Sequence, residues 1–240
     1  MASELTVAVP SHGGHERLIG LLDSLRGQDL SSDRFEVLIV DNASPIPLDE
    51  VAGRYGHELS IRVVREPQLG VARARNRALR EVTSPLLVFL DDDVVAAPAA
   101  LSAYLEAFMD PHLQAAGGPI RPRLAGRRPV WFRGPVLPLF ALQDMGASAA
   151  YGGRYPFSAN CALRMDAVRH AFDTRLGRRG RSLLSGEETR FFEQNGFSHI
   201  AHLPDASVEH VIPDERLRLT WVARRAFAQV RTRAMLRLTD

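Results

Sequence analysis

Residues 84–98 read Ser-Pro-Leu-Leu-Val-Phe-Leu-Asp-Asp-Asp-Val-Val-Ala-Ala-Pro, an unbroken apolar run from Leu86 to Leu90 followed at once by Asp91, Asp92 and Asp93. The run has the length and character of a strand buried on both faces. Adjacent carboxylates at its end repel one another, and desolvating them is costly unless something positive sits among them. A fold that accommodates this stretch must bury the strand and open, at its carboxyl end, onto positive charge.

The surrounding pattern supplies the sheet. Leu5 to Pro10 is a short β-branched run; Glu16 to Gly27 carries Leu18, Leu21, Leu22 and Leu25 on one helical face, with glycine where the helix should stop. Phe35 to Asp41 is a second buried strand, Ile61 to Glu66 a third, Gly70 to Val82 a helix and Pro85 to Leu90 a fourth strand. This order, with near-continuous apolar strands, predicts an α/β fold with a mostly parallel central sheet flanked by helices. Beyond it, a helix is expected from Ala99 to Met109, and irregular structure with buried Trp131 and Phe132 over 118–157. Strand and then helix are expected across Asn160–Asp173, a helix stopped by Gly196, two short strands between His199 and Pro213, and a long terminal helix.

Composition narrows the partners. With 45% hydrophobic and 24% charged residues the chain is an ordinary globular protein and not a disordered one. The 30 basic residues, all arginine, nearly balance 28 acidic ones, so no nucleic-acid partner is expected. The single cysteine, Cys161, excludes an internal disulfide and a cysteine-cluster metal site, and reads as a small buried apolar residue. No secretory signal is visible in the opening residues and no apolar run approaches the ~20 residues of a membrane span, so a cytoplasmic protein is expected. Peripheral contact with the inner membrane surface and homo-oligomerisation are left open.

In open α/β sheets ligands sit beyond the carboxyl ends of the strands. Asp41 and the Asp91–Asp93 triplet both stand at such ends and can face one crevice. A divalent cation arriving with substrate phosphates would relieve the repulsion in the triplet.

Six pieces, Val7–Gly14, Val37–Ser44, Gly70–Leu79, Leu87–Pro98, Ser185–Phe192 and Ala206–Pro213, together resemble the family 2 glycosyltransferases of GT-A fold, over roughly Leu5 to Pro213. The resemblance implies one GT-A domain over 1–213, with a donor-binding part at about 1–98 and an acceptor and catalytic part at about 99–213. Residues 214–240 form an arginine-rich helical extension of the same domain. It implies a nucleoside-diphosphate sugar as donor and Mn2+ or Mg2+ as cofactor. Asp41 would accept hydrogen bonds from the base or ribose, and Pro10, Ser11 and His12 would lie beside the base. The family often has Pro-Thr-Tyr-Asn in that loop, so His12 stands where a stacking tyrosine is usual. Arg75 and Asn76 match a helix bordering the nucleotide. Asp91 and Asp93 match the outer positions of the Asp-x-Asp motif, Asp91 reaching the ribose or a metal-bound water and Asp93 coordinating the cation. Asp92 belongs to the same rim but turns the other way if the strand pleat continues. His210 matches a histidine that completes the metal site.

Transfer builds an oxocarbenium-like centre and needs a carboxylate to take the acceptor's proton. By position that base is Glu188, one methylene longer than the family's usual aspartate, and Glu187 could share or replace the role. The acceptor itself, whether a small natural product, a lipid-linked sugar, a glycan or a peptide, is not readable. The terminal segment carries Arg216, Arg218, Arg224, Arg225, Arg231, Arg233 and Arg237 beside Trp221, Phe227 and Leu236. It could cap the diphosphate through Arg224 or Arg225, pack on a partner subunit, lie on an anionic membrane or simply be solvated. A nucleotidyltransferase and a non-catalytic nucleotide-sugar-binding protein are the alternatives.

Overall fold

Alternate side chains of β1 (Leu5–Ser11) and β2 (Phe35–Asn42) go to two different cores, which is why neither strand presents a polar face. Leu5, Val7, Val37 and Ile39 pack under α1 (His15–Arg26), and Ala8, Leu38 and Val40 under α3 (Val71–Glu81). The structure, a computed structural model, describes residues 3–146, 151, 154–180 and 182–237, without the side chains of 233 and 235–237. The side chains of Arg233, Leu236 and Arg237, counted above with the basic terminal segment, lie outside the described residues.

Between β2 and α3 run α2 (Asp49–Gly53) and β3 (Ile61–Glu66); after α3 come β4 (Leu86–Leu90), β5 (Val94–Ala96), α4 (Ala100–Ala107), β6 (Ala115–Gly117) and β7 (Ile120–Leu124). The chain closes with β8 (Asn160–Arg164), α5 (Glu187–Asn195), β9 (Ile200–His202), β10 (Val208–Ile212) and α6 (Leu219–Arg237). Seven strands form the main sheet in the order β3-β2-β1-β4-β8-β6-β9. The first four are parallel, β8 runs antiparallel to both its neighbours, and β9 is parallel to β6. A smaller sheet has β10 between β5, antiparallel, and β7, parallel.

The strand order reverses between β1 and β4, and this is where a crevice opens in such sheets. The two strand ends are tied directly: Ser11 Oγ donates to Asp92 Oδ2 at 2.5 Å.

Two expectations need correction. Asn160–Asp173 forms a strand but no helix beyond a 3-10 turn at Met165–Ala167. Asn195 Oδ1 takes the N–H groups of Arg169 and His170, and the Asn76 amide pairs with both backbone groups of Phe172, so side chains have replaced the helical partners. The middle segment is mostly irregular as expected and buries Phe132 fully, yet Ile120–Leu124 becomes a strand because β10 pairs with it. The two short strands near the end, β9 and β10, both form but join different sheets. Among the described residues no helix is long and apolar enough to cross a membrane.

Candidate active site

The ends of β1 and β4 open on a cavity of about 520 Å³. Pro10, Ser11, His12 and the Asp91–Asp93 triplet border it on one side, and Glu187 and Glu188 at the start of α5 on another.

Every member of the triplet meets an arginine. Arg75 Nη2 donates to Asp91 Oδ1 at 3.4 Å; Arg17 grips Asp92 through Nε at 3.1 Å and Nη2 at 3.2 Å; Arg216 Nη1 donates to Asp93 Oδ2 at 3.2 Å. The protein itself thus answers the repulsion that a cation alone was expected to relieve. Asp92 does turn away from its neighbours, because the chain after Leu90 is a turn. Its carboxylate is buried against Ser11 and Arg17, and burial raises its pKa against the pull of Arg17. Gly14 makes the room, since a Cβ there would stand 2.1 Å from Asp92 Oδ2.

Arg75 is the hub of the opposite wall. It is 3% exposed, and its Nη1 donates to Glu187 Oε1 at 2.9 Å while Nη2 lies 3.7 Å from Glu188 Oε1. Burial disfavours its charge, but the carboxylates of Glu188, Asp91 and Glu187 outweigh that and hold it firmly protonated. Glu188 Oε1 accepts the Ser158 N–H at 2.9 Å. Burial, then the neighbouring charge of Glu187, push the Glu188 carboxyl up to about 7. Both border the cavity, but they differ: Glu187 is locked to Arg75, whereas Glu188 stands farther from it and has a pKa suited to proton transfer near neutrality.

Asp93 and His210 are 117 positions apart in the chain and adjacent in space. The antiparallel register sets His210 opposite Val94, and Asp93 Oδ2 lies 3.2 Å from His210 Nε2. His210 Nδ1 is 2.8 Å from the Phe140 carbonyl, which can only accept, so Nδ1 carries a hydrogen and Nε2 is the ring nitrogen turned to Asp93. Burial would push the Asp93 carboxyl up, but His210, Arg216 and Arg178 hold it well below the ordinary range. Arg216 Nη1 contacts both atoms, Asp93 Oδ2 at 3.2 Å and His210 Nε2 at 3.3 Å, so a divalent cation taking its remaining ligands from phosphate and water would have to displace that guanidinium. Among the described residues no group of three or more His, Cys, Asp or Glu could hold a metal.

Two expected residues lie elsewhere. Asp41 is 2% exposed, accepts from Ser44 N–H at 2.9 Å and Arg65 Nη1 at 2.7 Å, and sits behind the cavity wall; its neighbour Asn42 reaches the lining instead. Asn76 has its amide committed to Phe172, away from the cavity. His12 is exposed at the rim, with Nδ1 2.9 Å from the Asn42 carbonyl. Of the terminal arginines, Arg224 is exposed, while Arg225 is buried and faces the cavity. Arg17 and Arg178 were not singled out by the sequence. Only the glycine-rich entry to α1 and the arginine-rich run before α5 marked their neighbourhoods.

Residues 6–172 match the family described as Glycosyl transferase family 2, and the chain belongs to that family. It is 30% identical over 214 residues to the succinoglycan biosynthesis protein ExoM of Rhizobium meliloti, covering 85% of this chain and 65% of that protein. To the pre-mycofactocin glycosyltransferase of Mycobacterium tuberculosis it is 29% identical over 237 residues, covering 93% of this chain and 46% of that protein. The chain is thus shorter than the curated relatives it matches. Among solved structures, the mannosyltransferase PcManGT from Pyrobaculum calidifontis, in complex with GDP-Man and Mn2+, aligns with a TM-score of 0.68 at 22% identity, over 94% of this chain and 61% of that one. S. aureus TarS 1–349 in complex with UDP-GlcNAc aligns with a TM-score of 0.67 at 21% identity, over 87% of this chain and 58% of that one. The fold is that of the GT-A glycosyltransferases.

Proposed function

We propose that the protein is an inverting glycosyltransferase that moves a sugar from a nucleoside-diphosphate donor to an acceptor hydroxyl. The observation that carries this reading is the pairing of a half-buried glutamate, Glu188, with a carboxylate–imidazole pair, Asp93 and His210, in a family 2 chain. The donor class follows the relatives, TarS with UDP-GlcNAc and PcManGT with GDP-Man and Mn2+.

Asp93 and His210 Nε2 would hold Mn2+ or Mg2+. When bound, the cation neutralises charge on the leaving diphosphate. Glu188 Oε2 carries no hydrogen bond among the described residues, and the carboxylate would accept the acceptor's hydroxyl proton as that oxygen attacks the anomeric carbon. A single base acting opposite the leaving group yields inversion. Glu187, neutralised by Arg75, has a positioning role. His12 at the rim offers a ring face to the nucleotide base.

The test is a panel of nucleotide sugars incubated with protein and either Mn2+ or chelator, with free nucleoside diphosphate and transferred sugar as the products measured. Metal-dependent release from one donor supports the reading. Binding of every donor with neither hydrolysis nor transfer to any acceptor would leave a non-catalytic binding protein.

A further inference from the structure

Helix α6 turns polar side chains inward and apolar ones outward. A helix on a protein surface ordinarily packs its apolar stripe on the core and gives its polar side to water. Here Arg225 and Thr232 are buried and, with Gln229, line the cavity, whereas Leu219, Phe227 and Val230 are 65%, 73% and 64% exposed. Trp221, Val222 and Ala226 pack against the core and fix which way the helix faces. At 3.6 residues per turn, Leu219, Val230, Phe227 and the exposed Ala223 and Ala234 fall within an arc of roughly 80°, and exposed Thr220, Arg231 and Arg224 continue it over about 60° more. A single exposed apolar side chain needs no explanation, but a continuous stripe does.

We infer that this face of α6 docks on an anionic lipid surface, with Leu219, Phe227 and Val230 entering the headgroup layer and Arg224 and Arg231 meeting the anionic headgroups. Charge selects this occupant. From Leu219 to Arg237 the helix carries no aspartate or glutamate; Asp214 and Glu215, the nearest acids in the chain, belong to the 3-10 turn ahead of it. A second copy of the chain meeting the same face would set arginine against arginine, with no carboxylate on either helix to answer it. An apolar strip bordered by cations is the combination that holds a helix in a lipid interface. Because the opposite side of α6 lines the cavity, docking brings one cavity wall within about 10–12 Å, a helix diameter, of the headgroups. The inference uses no part of the proposed reaction.

The experiment sediments the full chain with vesicles of phosphatidylcholine alone and of phosphatidylcholine and phosphatidylglycerol in equal parts, at low and high salt. The parent is expected to bind the mixed vesicles, to bind phosphatidylcholine several-fold less, and to lose the mixed vesicles as salt rises. F227S/V230S and R224Q/R231Q change only exposed positions outside the cavity lining. Each is expected to lower the bound fraction about fivefold or more while keeping the parent's Tm and nucleoside-diphosphate affinity. The inference is overturned if the parent binds both kinds of vesicle equally or neither, or if either double variant, at the parent's Tm, binds as the parent does. Sedimentation velocity without lipid completes the test: a dimer that F227S/V230S dissolves, in a parent that ignores vesicles, gives the face to a second copy and overturns the inference. Charge-dependent vesicle binding in a protein that transfers no sugar would keep the docking face and overturn only the proposed reaction.

Discussion

Arg75 Nη1 stands 2.9 Å from Glu187 Oε1, with both side chains almost fully buried, and this ion pair gives two adjacent glutamates different environments. The same guanidinium contacts Asp91, so one residue on α3 links the acidic turn after β4 to the start of α5.

Arg75→Ala should therefore destabilise the protein by about 3–5 kcal/mol, because it strands buried carboxylates without their counter-ion. Urea unfolding followed by circular dichroism measures this. A loss under 1 kcal/mol would show that the carboxylates find water or protons at little cost.

For Glu188 the expected signature is kinetic. The rate should rise with pH through about 7, the value to which burial and Glu187 push its carboxyl, and level off above it. Glu188→Gln should lower transfer roughly 10²-fold or more while leaving nucleotide affinity nearly unchanged. Near-parental turnover in that variant would move the base elsewhere.

The same shift has a stability consequence of fixed sign. The folded carboxyl holds its proton up to about 7, above its ordinary value of 4.5, so the folded state binds more protons between those values and stability falls as pH rises through that window. Glu188→Gln should raise Tm relative to the parent at pH 8 and change it little at pH 4. An unchanged difference at the two pH values would contradict the shift.

At the proposed cation site, nucleoside diphosphate should raise Tm more with Mn2+ than with chelator, and Asp93→Ala should remove the metal-dependent part. Equal stabilisation in chelator would take the metal out of the mechanism.

Gly118 is a structural check on the same region. A Cβ there would lie 1.7 Å from the backbone oxygen of Ala206, so Gly118→Ala must displace the segment leading into β10 and should cost about 1–3 kcal/mol. Unfolding curves that superimpose on the parent's would show that the segment shifts freely.

Local pattern determined much of this protein. The apolar runs that became β1, β2 and β4 and the leucine face of α1 were legible because period and burial are properties of neighbouring residues. The acidic turn and the Glu187–Glu188 pair were legible for the same reason, as charged residues at the ends of such elements. Tertiary structure decided what each charge meets. Asp93 reaches His210 only through the register of β5 with β10, and the arginines that answer the triplet come from α1, α3 and the segment before α6. Nothing local distinguishes Asn76, turned to Phe172, from a residue facing the cleft, or buried Arg225 from exposed Arg224. Electrostatic partners are fixed by distance in space, and a single sequence records only distance along the chain.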